Sequence, residues 1–351
     1  PGDIPMTPAR DRSPRTVTAS APVRLDLAGG WTDVPPFSER EGGVVIAAAI
    51  GLRAHVTVEC GGDAIRLVAH DLDDEETIPA DPPPVLDGRL DLLKAAVRLL
   101  PPGPCSVVTR SDVPPGSGLG SSGALDVALV AALGRARGET RTPMEVAEAG
   151  CRLEREEAGI AGGRQDQYMA ALGGVQRLEF RDPAVIATPV ALDSAFAAEL
   201  ERSLVLCYTG VSRISGRTIA RVIAAYEHGD AAVVAALRGM RDVALATEDA
   251  LLAADLPAAG RLLSENWLHQ QALDAGMRTE HMARLEAAAL GAGALGGKAA
   301  GSGAGGCMFF LAPGRARAVA DAAAAAGATI LPVTWSPDGV RTCCCKTNST
   351  H

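Results

Sequence analysis

The sequence has few aromatic residues, no long hydrophobic run and no block of basic residues. Aromatic side chains make up 3% of its 351 residues, while alanine and glycine are abundant, a bias that says little about the fold. The apolar run Val44–Leu52 stops at Arg53, well short of the roughly 18 apolar residues that a membrane helix needs. The formal net charge is −9. We therefore expect no membrane helix and no nucleic-acid or membrane-surface partner.

A secretory signal pattern and a zinc-binding cysteine pattern are also missing. Five of the eight cysteines are scattered singly in apolar surroundings, which favours small buried side chains. The run Cys343–Cys345 has no histidine or second cysteine pair nearby at zinc-site spacing. We therefore expect a cytoplasmic protein without a zinc site, and we interpret 1–14 and 337–351 as tails.

What the chain does contain predicts a globular protein of about two domains. Hydrophobic residues make up 47% and charged residues 21% of the sequence. Strand and helix patterns are mixed in both halves, which indicates the α+β class. The pattern loosens over 182–194, so we place an N-terminal domain at 15–190 and a C-terminal domain at 191–336. Several helices are expected from Ser215 to Leu290, with breaks at Gly229, Leu256–Gly260 and Gly276.

A glycine- and serine-rich segment, Pro114–Ser122, leads directly into a strongly helical stretch. Glycines let the backbone approach a bulky anion, and a helix N-terminus offers free N–H groups and a positive dipole end. A simple helix cap needs only one serine and one glycine, so the segment favours phosphate binding. The candidate phosphate ligands form one continuous run: Pro115, Gly116, Ser117, Gly118, Leu119, Gly120, Ser121 and Ser122.

Two better-known nucleotide-binding motifs do not fit this segment. The Walker pattern needs a lysine after its last glycine, and none is present. The segments 118–123 and 301–306 each match G-x-G-x-x-G, which is a weak signal by itself. A dinucleotide fold needs a strand that ends at the first glycine and an acidic residue after the next strand, whereas here another helix follows. We therefore reject a dehydrogenase.

A first candidate site outside this loop lies at the end of an N-terminal strand. Arg24 and Asp26 alternate with apolar residues, and the turn Ala28–Asp33 follows. Arg24 and Asp33 could meet in a cleft. Alternatively, the two glycines make an ordinary turn that Asp33 caps. The residues alone leave both interpretations open.

A second candidate site is the segment Gly162–Tyr168. Asp166 lies there in a glycine-flanked turn, which can hold a carboxylate rigid and partly desolvated, as a general base requires. Upstream, Glu154 and Glu157 lie three residues apart on a helix. Such a pair is common on any solvated helix face, but Mg²⁺ needs a carboxylate partner, and Glu154 is a candidate.

Three segments in this order resemble the GHMP kinases, named for galactokinase, homoserine, mevalonate and phosphomevalonate kinases. The segments are Ala21–Gly30, Pro114–Ala124 and Gly297–Gly306, and the resemblance spans about residues 20 to 312. It implies a two-domain fold, with a left-handed βαβ crossover in the N-terminal half and a ferredoxin-like C-terminal half. It also implies ATP and Mg²⁺ as cofactors and a small-molecule acceptor, with the protein a monomer or homodimer.

The resemblance also implies roles for particular residues. Asp166 matches the catalytic aspartate, and Arg24 matches the arginine that sugar kinases place beside it. Ser122 and Glu154 match the Mg²⁺ ligands. Gly123 departs from the family, where serine or alanine is commoner, and we expect little effect from it. The implied substrate-binding residues are spread over four segments: Gly30, Trp31, Asp33, Gly162, Gly163, Arg164, Arg213 and Gly303.

Within the family, two branches share features with this chain. The run from Gly29 to Pro36, with Trp31, looks like fucokinases. The segments Gly162–Tyr168 and Tyr208–Arg213 look like heptose 7-phosphate kinases, near which the lincosamide octose-phosphate kinases also belong. All these enzymes act on an anomeric hydroxyl. The resemblance therefore implies a kinase for the C1 hydroxyl of a seven- or eight-carbon sugar phosphate, with a fucokinase-like kinase of a free sugar as the alternative.

Two further alternatives have distinct marks in the sequence. An inactive sensor that binds sugar and ATP should have lost the Asp166 carboxylate or the phosphate loop, and both are present. A kinase for an alcohol such as homoserine or mevalonate should lack the sugar-binding set, which includes Arg24, Trp31 and Asp33.

Overall fold

The computed structural model describes residues 15–211 and 216–346, so the predicted tail 1–14 and Arg213 lie outside the described residues. The described strands form two sheets. Their bounds are β1 Arg15–Ala28, β2 Gly43–Cys60, β3 Ile65–Ala69, β4 Asp74–Ile78, β5 Cys105–Ser111, β6 Val175–Arg181, β7 Ala184–Pro189, β8 Leu204–Tyr208, β9 Gly296–Ala299, β10 Cys307–Leu311, β11 Thr329–Leu331 and β12 Arg341–Lys346.

The helices of the described residues pack on these sheets. None of them is both long and apolar enough to cross a bilayer. Their bounds are α1 Phe37–Arg40, α2 Asp91–Leu99, α3 Ser121–Ala136, α4 Pro143–Arg152, α5 Gln165–Leu172, α6 Ser194–Ser203, α7 Gly216–Glu227, α8 Ala231–Leu252, α9 Leu256–Gln271, α10 Glu280–Gly291 and α11 Ala316–Ala325.

The first sheet is built on the long strand β2. Its apolar run Val44–Ile50 is buried throughout, as expected for a strand covered on both faces. Residues 43–48 pair with β6 and residues 54–60 pair with β5, while β1 runs antiparallel along the other edge. The strand order is β12-β1-β2-β5-β3-β4, with β6 and β7 attached to β2. The ends of β1 and β2 bring Arg24 and the following turn to one side of the molecule.

The second sheet has the antiparallel order β11-β8-β10-β9. Helices α7 to α10 connect β8 to β9, and α11 connects β10 to β11. This strand order and connection pattern is the ferredoxin-like arrangement expected for the C-terminal half. Two sheets with their own helices confirm the α+β class. The exact domain bounds at 190/191 stay a prediction.

Helix α3 lies at the centre of the N-terminal half and positions the candidate phosphate loop. It begins after Gly120, whose φ of 74° is left-handed, and it is apolar on nearly every side. Such a helix must be buried, and it packs against β1, β2, α4 and α5. A single carboxylate, Asp126, lies in this apolar surface and is fully buried.

Two expectations from the sequence are wrong. The tail predicted at 337–351 contains a strand, because β12 pairs antiparallel with the outer edge of β1 from Arg15↔Lys346 to Ser20↔Arg341. An unpaired edge of β1 would otherwise present its backbone groups to water. The break predicted at Leu256–Gly260 is the first turn of α9, capped by Asp255. Gly260 is there for packing, since a Cβ on it would lie 2.5 Å from the Leu295 Cβ.

Candidate active site

The candidate phosphate loop connects β5 to α3 and forms an open cradle of backbone groups. Gly116, Gly118 and Gly120 have φ values of 70°, 78° and 74°, a conformation that other residues adopt only with strain. Leu119 is fully buried and fixes the loop to the core, whereas Ser122 is exposed at the first turn of the helix. The loop therefore presents the N-terminus of α3 to solvent, where an anion would meet free N–H groups.

The C-terminal half closes one side of this loop. The Cys307 N–H donates to the Ser117 carbonyl at 2.7 Å. Gly118 and Gly301 contact each other so closely that a Cβ on Gly301 would lie 2.5 Å from the Gly118 carbonyl oxygen. Two glycine-rich segments far apart in sequence thus pack backbone against backbone, and Gly301 and Gly306 allow this close approach.

Arg24 and Asp166 form an ion pair directly beneath the phosphate loop. Arg24 Nε donates to Asp166 Oδ1 at 2.9 Å, and Nη2 lies 2.6 Å from the same oxygen. Arg24 Nη1 donates to the Gly118 carbonyl at 2.7 Å. The Arg24 side chain is 5% exposed and that of Asp166 is 25% exposed. The arginine therefore joins the phosphate loop to a carboxylate that is still accessible from solvent.

The charge on Arg24 is secured by its surroundings. Burial opposes the charged form, but the pKa of the Arg24 guanidinium is nevertheless raised, because Asp166, Asp26 and Asp33 all lie nearby. A charged guanidinium at hydrogen-bond distance fixes the orientation of the carboxylate that it contacts. The geometry can therefore hold a carboxylate ready to accept a proton.

Asp33 is buried and caps the helix that carries Asp166. Its Oδ2 accepts the backbone N–H groups of Arg164 at 2.8 Å and Gln165 at 3.0 Å, and its Oδ1 accepts the Gln165 amide at 3.1 Å. Burial raises the pKa of Asp33, and the N–H of Gln165 opposes that rise. Gly163 is tightly packed here, since a Cβ on it would lie 1.9 Å from Asp33 Oδ2. The sequence left open whether Asp33 is a functional residue or caps the turn Ala28–Asp33. The structure shows that Asp33 makes capping contacts, but it caps helix α5 and not that turn.

Gly123 brings helix α3 against Asp166, so its substitution should disturb the site. A Cβ on Gly123 would lie 2.5 Å from the Asp166 Cβ. We expect Gly123→Ala to push α5 away and lower kcat by about 10-fold or more, because a shift of about 1 Å at a reacting group is costly. The matched control is Gly291→Ala, where a Cβ meets nothing within 4 Å. Steady-state kinetics measure both variants, and equal kcat values would contradict the expected displacement.

The predicted metal ligands Ser122 and Glu154 are close to each other. The Ser122 hydroxyl lies close enough to the Glu154 carboxylate to oppose the rise in its pKa, and Glu154 is 7% exposed. Glu154 lies in a widened, π-helical turn, Leu153–Glu157, that extends α4. Such turns recur at functional sites because they redirect one side chain. An exposed hydroxyl beside a buried carboxylate suits a hard cation such as Mg²⁺.

Asp126, which was not predicted from the sequence, joins these residues. The Gln167 amide donates to Glu154 Oε2 at 2.7 Å and to Asp126 Oδ2 at 3.1 Å, while Asp126 Oδ1 has no hydrogen-bond partner among the described residues. Burial raises the pKa of Asp126 and of Glu154, and further carboxylates nearby add to both rises. A cation here would relieve that repulsion. The sequence feature that could have indicated Asp126 is that it is the one acidic residue in the apolar helix α3.

Asp26 and Lys298 form a second missed contact, between the two halves of the chain. Lys298 Nζ donates to Asp26 Oδ2 and to the Asp26 carbonyl, each at 2.7 Å, and both side chains are at most 1% exposed. Asp26 Oδ1 accepts the Gly301 N–H at 3.0 Å. Gly30 faces this pair, because a Cβ on it would lie 2.4 Å from Asp26 Oδ2.

The other predicted substrate residues lie in different environments. Trp31 is 5% exposed and packs with Phe37 and Tyr226 in an apolar cluster. Gly162 is half-buried near Glu154, and Gly303 lies against Gln270 and Met277.

Arg164 is buried and turns its side chain away from Asp166. Its Nη1 donates to the Pro183 carbonyl at 3.0 Å, and its guanidinium lies 5.6 Å from the centre of the Phe180 ring. The structure thus brings together Arg24, Asp166 and the phosphate loop, with Ser122 and Glu154 beside them. Trp31 is packed in a separate cluster.

Two family models match the chain. The model of the GHMP kinases N terminal domain matches residues 90–174, and that of the GHMP kinases C terminal domain matches residues 247–329. A crystal structure of a D-glycero-D-manno-heptose 1-phosphate kinase from Bacteroides thetaiotaomicron superposes with a TM-score of 0.78 and 28% identity. That alignment covers 93% of this chain and 98% of the other.

Curated relatives give the same family with different acceptors. The chain is 30% identical to a D-glycero-alpha-D-manno-heptose 7-phosphate kinase of Campylobacter jejuni, over 84% of this chain and 89% of that protein. It is 31% identical to a mevalonate kinase of Thermococcus sibiricus, over 93% and 98%. It is 25% identical to a bifunctional fucokinase/GDP-fucose pyrophosphorylase of Arabidopsis thaliana, over 79% of this chain but 28% of that protein.

Proposed function

The chain belongs to the GHMP kinase family of ATP-dependent phosphotransferases that act on hydroxyl groups, and we propose that its acceptor is the anomeric C1 hydroxyl of a sugar phosphate of the heptose 7-phosphate type. The observation that carries the proposal is the Arg24–Asp166 ion pair beneath the phosphate loop. The 30% identity to a heptose 7-phosphate kinase supports the choice of acceptor.

The phosphate loop supplies positioning and charge stabilisation, which carry most of the catalysis in phosphoryl transfer. Its backbone N–H groups and the positive end of α3 hold the transferred phosphoryl group at a fixed place. The loop is held rigid, since Leu119 is buried and Cys307 hydrogen-bonds Ser117. Donors that are already oriented need no reorganisation as negative charge develops.

Asp166 accepts the proton of the attacking hydroxyl in this proposal. Both Arg24 contacts use Asp166 Oδ1, and we assign Oδ2 to the acceptor hydroxyl. Arg24 holds the carboxylate in place before the reaction and stabilises negative charge beside the phosphate loop during it. Asp33 supports this arrangement by accepting the backbone N–H groups of Arg164 and Gln165, which directly precede Asp166 at the start of α5.

Ser122 and Glu154 would hold Mg²⁺. When bound, the ion neutralises phosphate charge and supplies electrostatic stabilisation. Gln167 orients Glu154 through its 2.7 Å hydrogen bond, so the carboxylate keeps one direction at the edge of the phosphate loop.

The burial of Trp31 bears on the fucokinase-like alternative. A deoxy-sugar recognised by stacking needs an exposed aromatic face. Trp31 is 5% exposed and packs with other apolar side chains, so it offers little face for stacking in this conformation. We therefore keep the sugar phosphate as the first candidate and the free sugar as the second.

An ADP-release assay with four acceptors tests the proposed substrate. We expect the highest kcat/KM with heptose 7-phosphate, at least about 10-fold above free heptose, because a charge-assisted phosphate contact contributes about that factor. L-fucose and mevalonate should be poor acceptors. Phosphorus NMR should locate the new phosphate on C1. A higher kcat/KM with fucose would favour the free-sugar alternative, and one with mevalonate would contradict a sugar acceptor.

A further inference from the structure

A cavity of about 530 Å³ lies behind the loop that precedes Asp166, between the end of α4 and the β6–β7 turn. Its volume falls within the range of roughly 300 to 1,000 Å³ typical of small-molecule sites. The residues Gly159–Ala161 line it, and Gly162–Gly163 continue from them toward Asp33. A ligand in the cavity would therefore touch the same loop that positions the catalytic carboxylate.

The charged groups that line the cavity are three arginines and two glutamates. They are Arg152, Arg155, Arg164, Glu148 and Glu156. Arg155 is half-buried and makes no hydrogen bond or ion pair within residues 15–211 and 216–346. Arg152 lies 3.6 Å from Glu156 and 3.6 Å from Glu157, too far for a normal hydrogen bond. In the described part of the chain, neither Arg152 nor Arg155 therefore has a carboxylate within normal hydrogen-bond distance.

Arg164 gives the cavity a rigid cationic wall. The residue is 7% exposed, and its Nε atom has no hydrogen-bond partner in the part of the chain that the structure describes. Its nearest carboxylate oxygen, on Asp182, is 3.8 Å away. The Pro183 carbonyl and the Phe180 ring hold the guanidinium in place. A buried, fixed and incompletely paired guanidinium is costly unless an anion compensates it.

We propose that this cavity binds a phosphoryl group through Arg152 and Arg155, against the wall formed by Arg164. Arginine suits this ligand because its planar guanidinium donates two parallel hydrogen bonds to phosphate oxygens. The phosphoryl group belongs either to the distal end of the acceptor, in which case the inference rests on the proposed function, or to a separate phosphorylated metabolite.

The two sources differ in their consequence for the reaction. The backbone N–H of Arg164 donates to Asp33 on the catalytic side, while its side chain lines the cavity. A distal phosphate of the acceptor would contact this loop from the cavity side. A separate metabolite would act through the same loop on the position of α5.

Calorimetric titration of inorganic phosphate tests the cavity without any turnover. The full chain is kept saturated with ADP and Mg²⁺, so that the phosphate loop is occupied. We expect the double variant Arg152→Gln/Arg155→Gln to weaken phosphate binding at least about tenfold, the loss expected for a charge-assisted hydrogen bond. Arg317→Gln, whose parent side chain is 97% exposed, is the matched control and should bind like the wild type.

Kinetics of the same variants separate the two sources. A KM for heptose 7-phosphate that rises about tenfold at constant kcat, with KM for ATP unchanged, assigns the phosphoryl group to the acceptor. Weakened phosphate binding with an unchanged acceptor KM assigns it to a separate metabolite. Equal phosphate affinity in the wild type and the double variant, or no binding to either, overturns the proposal. Failure of the proposed kinase activity would leave the calorimetric result standing.

Discussion

Asp166→Asn should lower kcat by about 100-fold or more, the scale typical of a lost general base. An asparagine can still accept the Arg24 hydrogen bond at Oδ1, so the geometry of the site should persist. It cannot take the proton of the acceptor hydroxyl. Because the loss concerns only the proton transfer, the affinity for ADP should stay within about a factor of two to three, and calorimetry measures it directly.

The control for this variant is Asp321→Asn, an amide substitution at a side chain that is 76% exposed on α11. It should behave like the wild type in both measurements. Near-normal turnover in Asp166→Asn would show that proton acceptance is not the role of this carboxylate. A parallel loss of ADP binding would instead indicate that the substitution disturbs the phosphate loop through Arg24.

Lys298→Met should destabilise the protein by about 3–5 kcal/mol, the usual effect of removing one partner from a buried ion pair. The substitution leaves the Asp26 carboxylate fully buried without its cation. The pKa of Lys298 is lowered by burial, although Asp26 opposes that effect. The pair is a direct contact between β1 and β9. Urea denaturation should show the loss as a lower midpoint.

Two further variants make this prediction specific. Asp26→Asn/Lys298→Met removes both charges and should recover at least about 1 kcal/mol relative to the single variant, since no uncompensated carboxylate remains. Arg317→Met removes an exposed arginine with a carboxylate at 4.0 Å, and its effect should stay below about 0.5 kcal/mol. A single variant as stable as this control would contradict a structural role for the buried pair.

The sequence allowed the phosphate loop to be predicted because its chemistry is local. Glycines at 116, 118 and 120 and a following helix suffice to place free N–H groups at one point, and no distant contact is needed. The same holds for the apolar strand Val44–Ile50. The carboxylate at Asp166 was likewise apparent from its glycine-flanked turn and from the family resemblance.

The prediction of a tail at 337–351 was wrong because the structure of this segment depends on a distant contact. A polar stretch with three cysteines has no apolar alternation, and its strand β12 exists because β1 offers an unpaired edge. The helix break predicted at Leu256–Gly260 was wrong for the same reason. In the sequence, a glycine that makes room for Leu295 cannot be told from a glycine that ends a helix. Both features depend on a partner that lies far away along the chain.

The sequence by itself predicted the class of the fold, because strand and helix patterns can be recognised locally along both halves. It also predicted the candidate phosphate loop and the candidate base, because each lies within one short segment. The tertiary structure decided what surrounds them. It set Asp33 as the cap of α5, joined Asp126 to Glu154 through Gln167, and buried Trp31 in an apolar cluster. Each of these contacts is made between segments far apart in the chain. Their geometry is fixed only when sheets and helices pack, because burial and the pairing of polar groups depend on the whole fold.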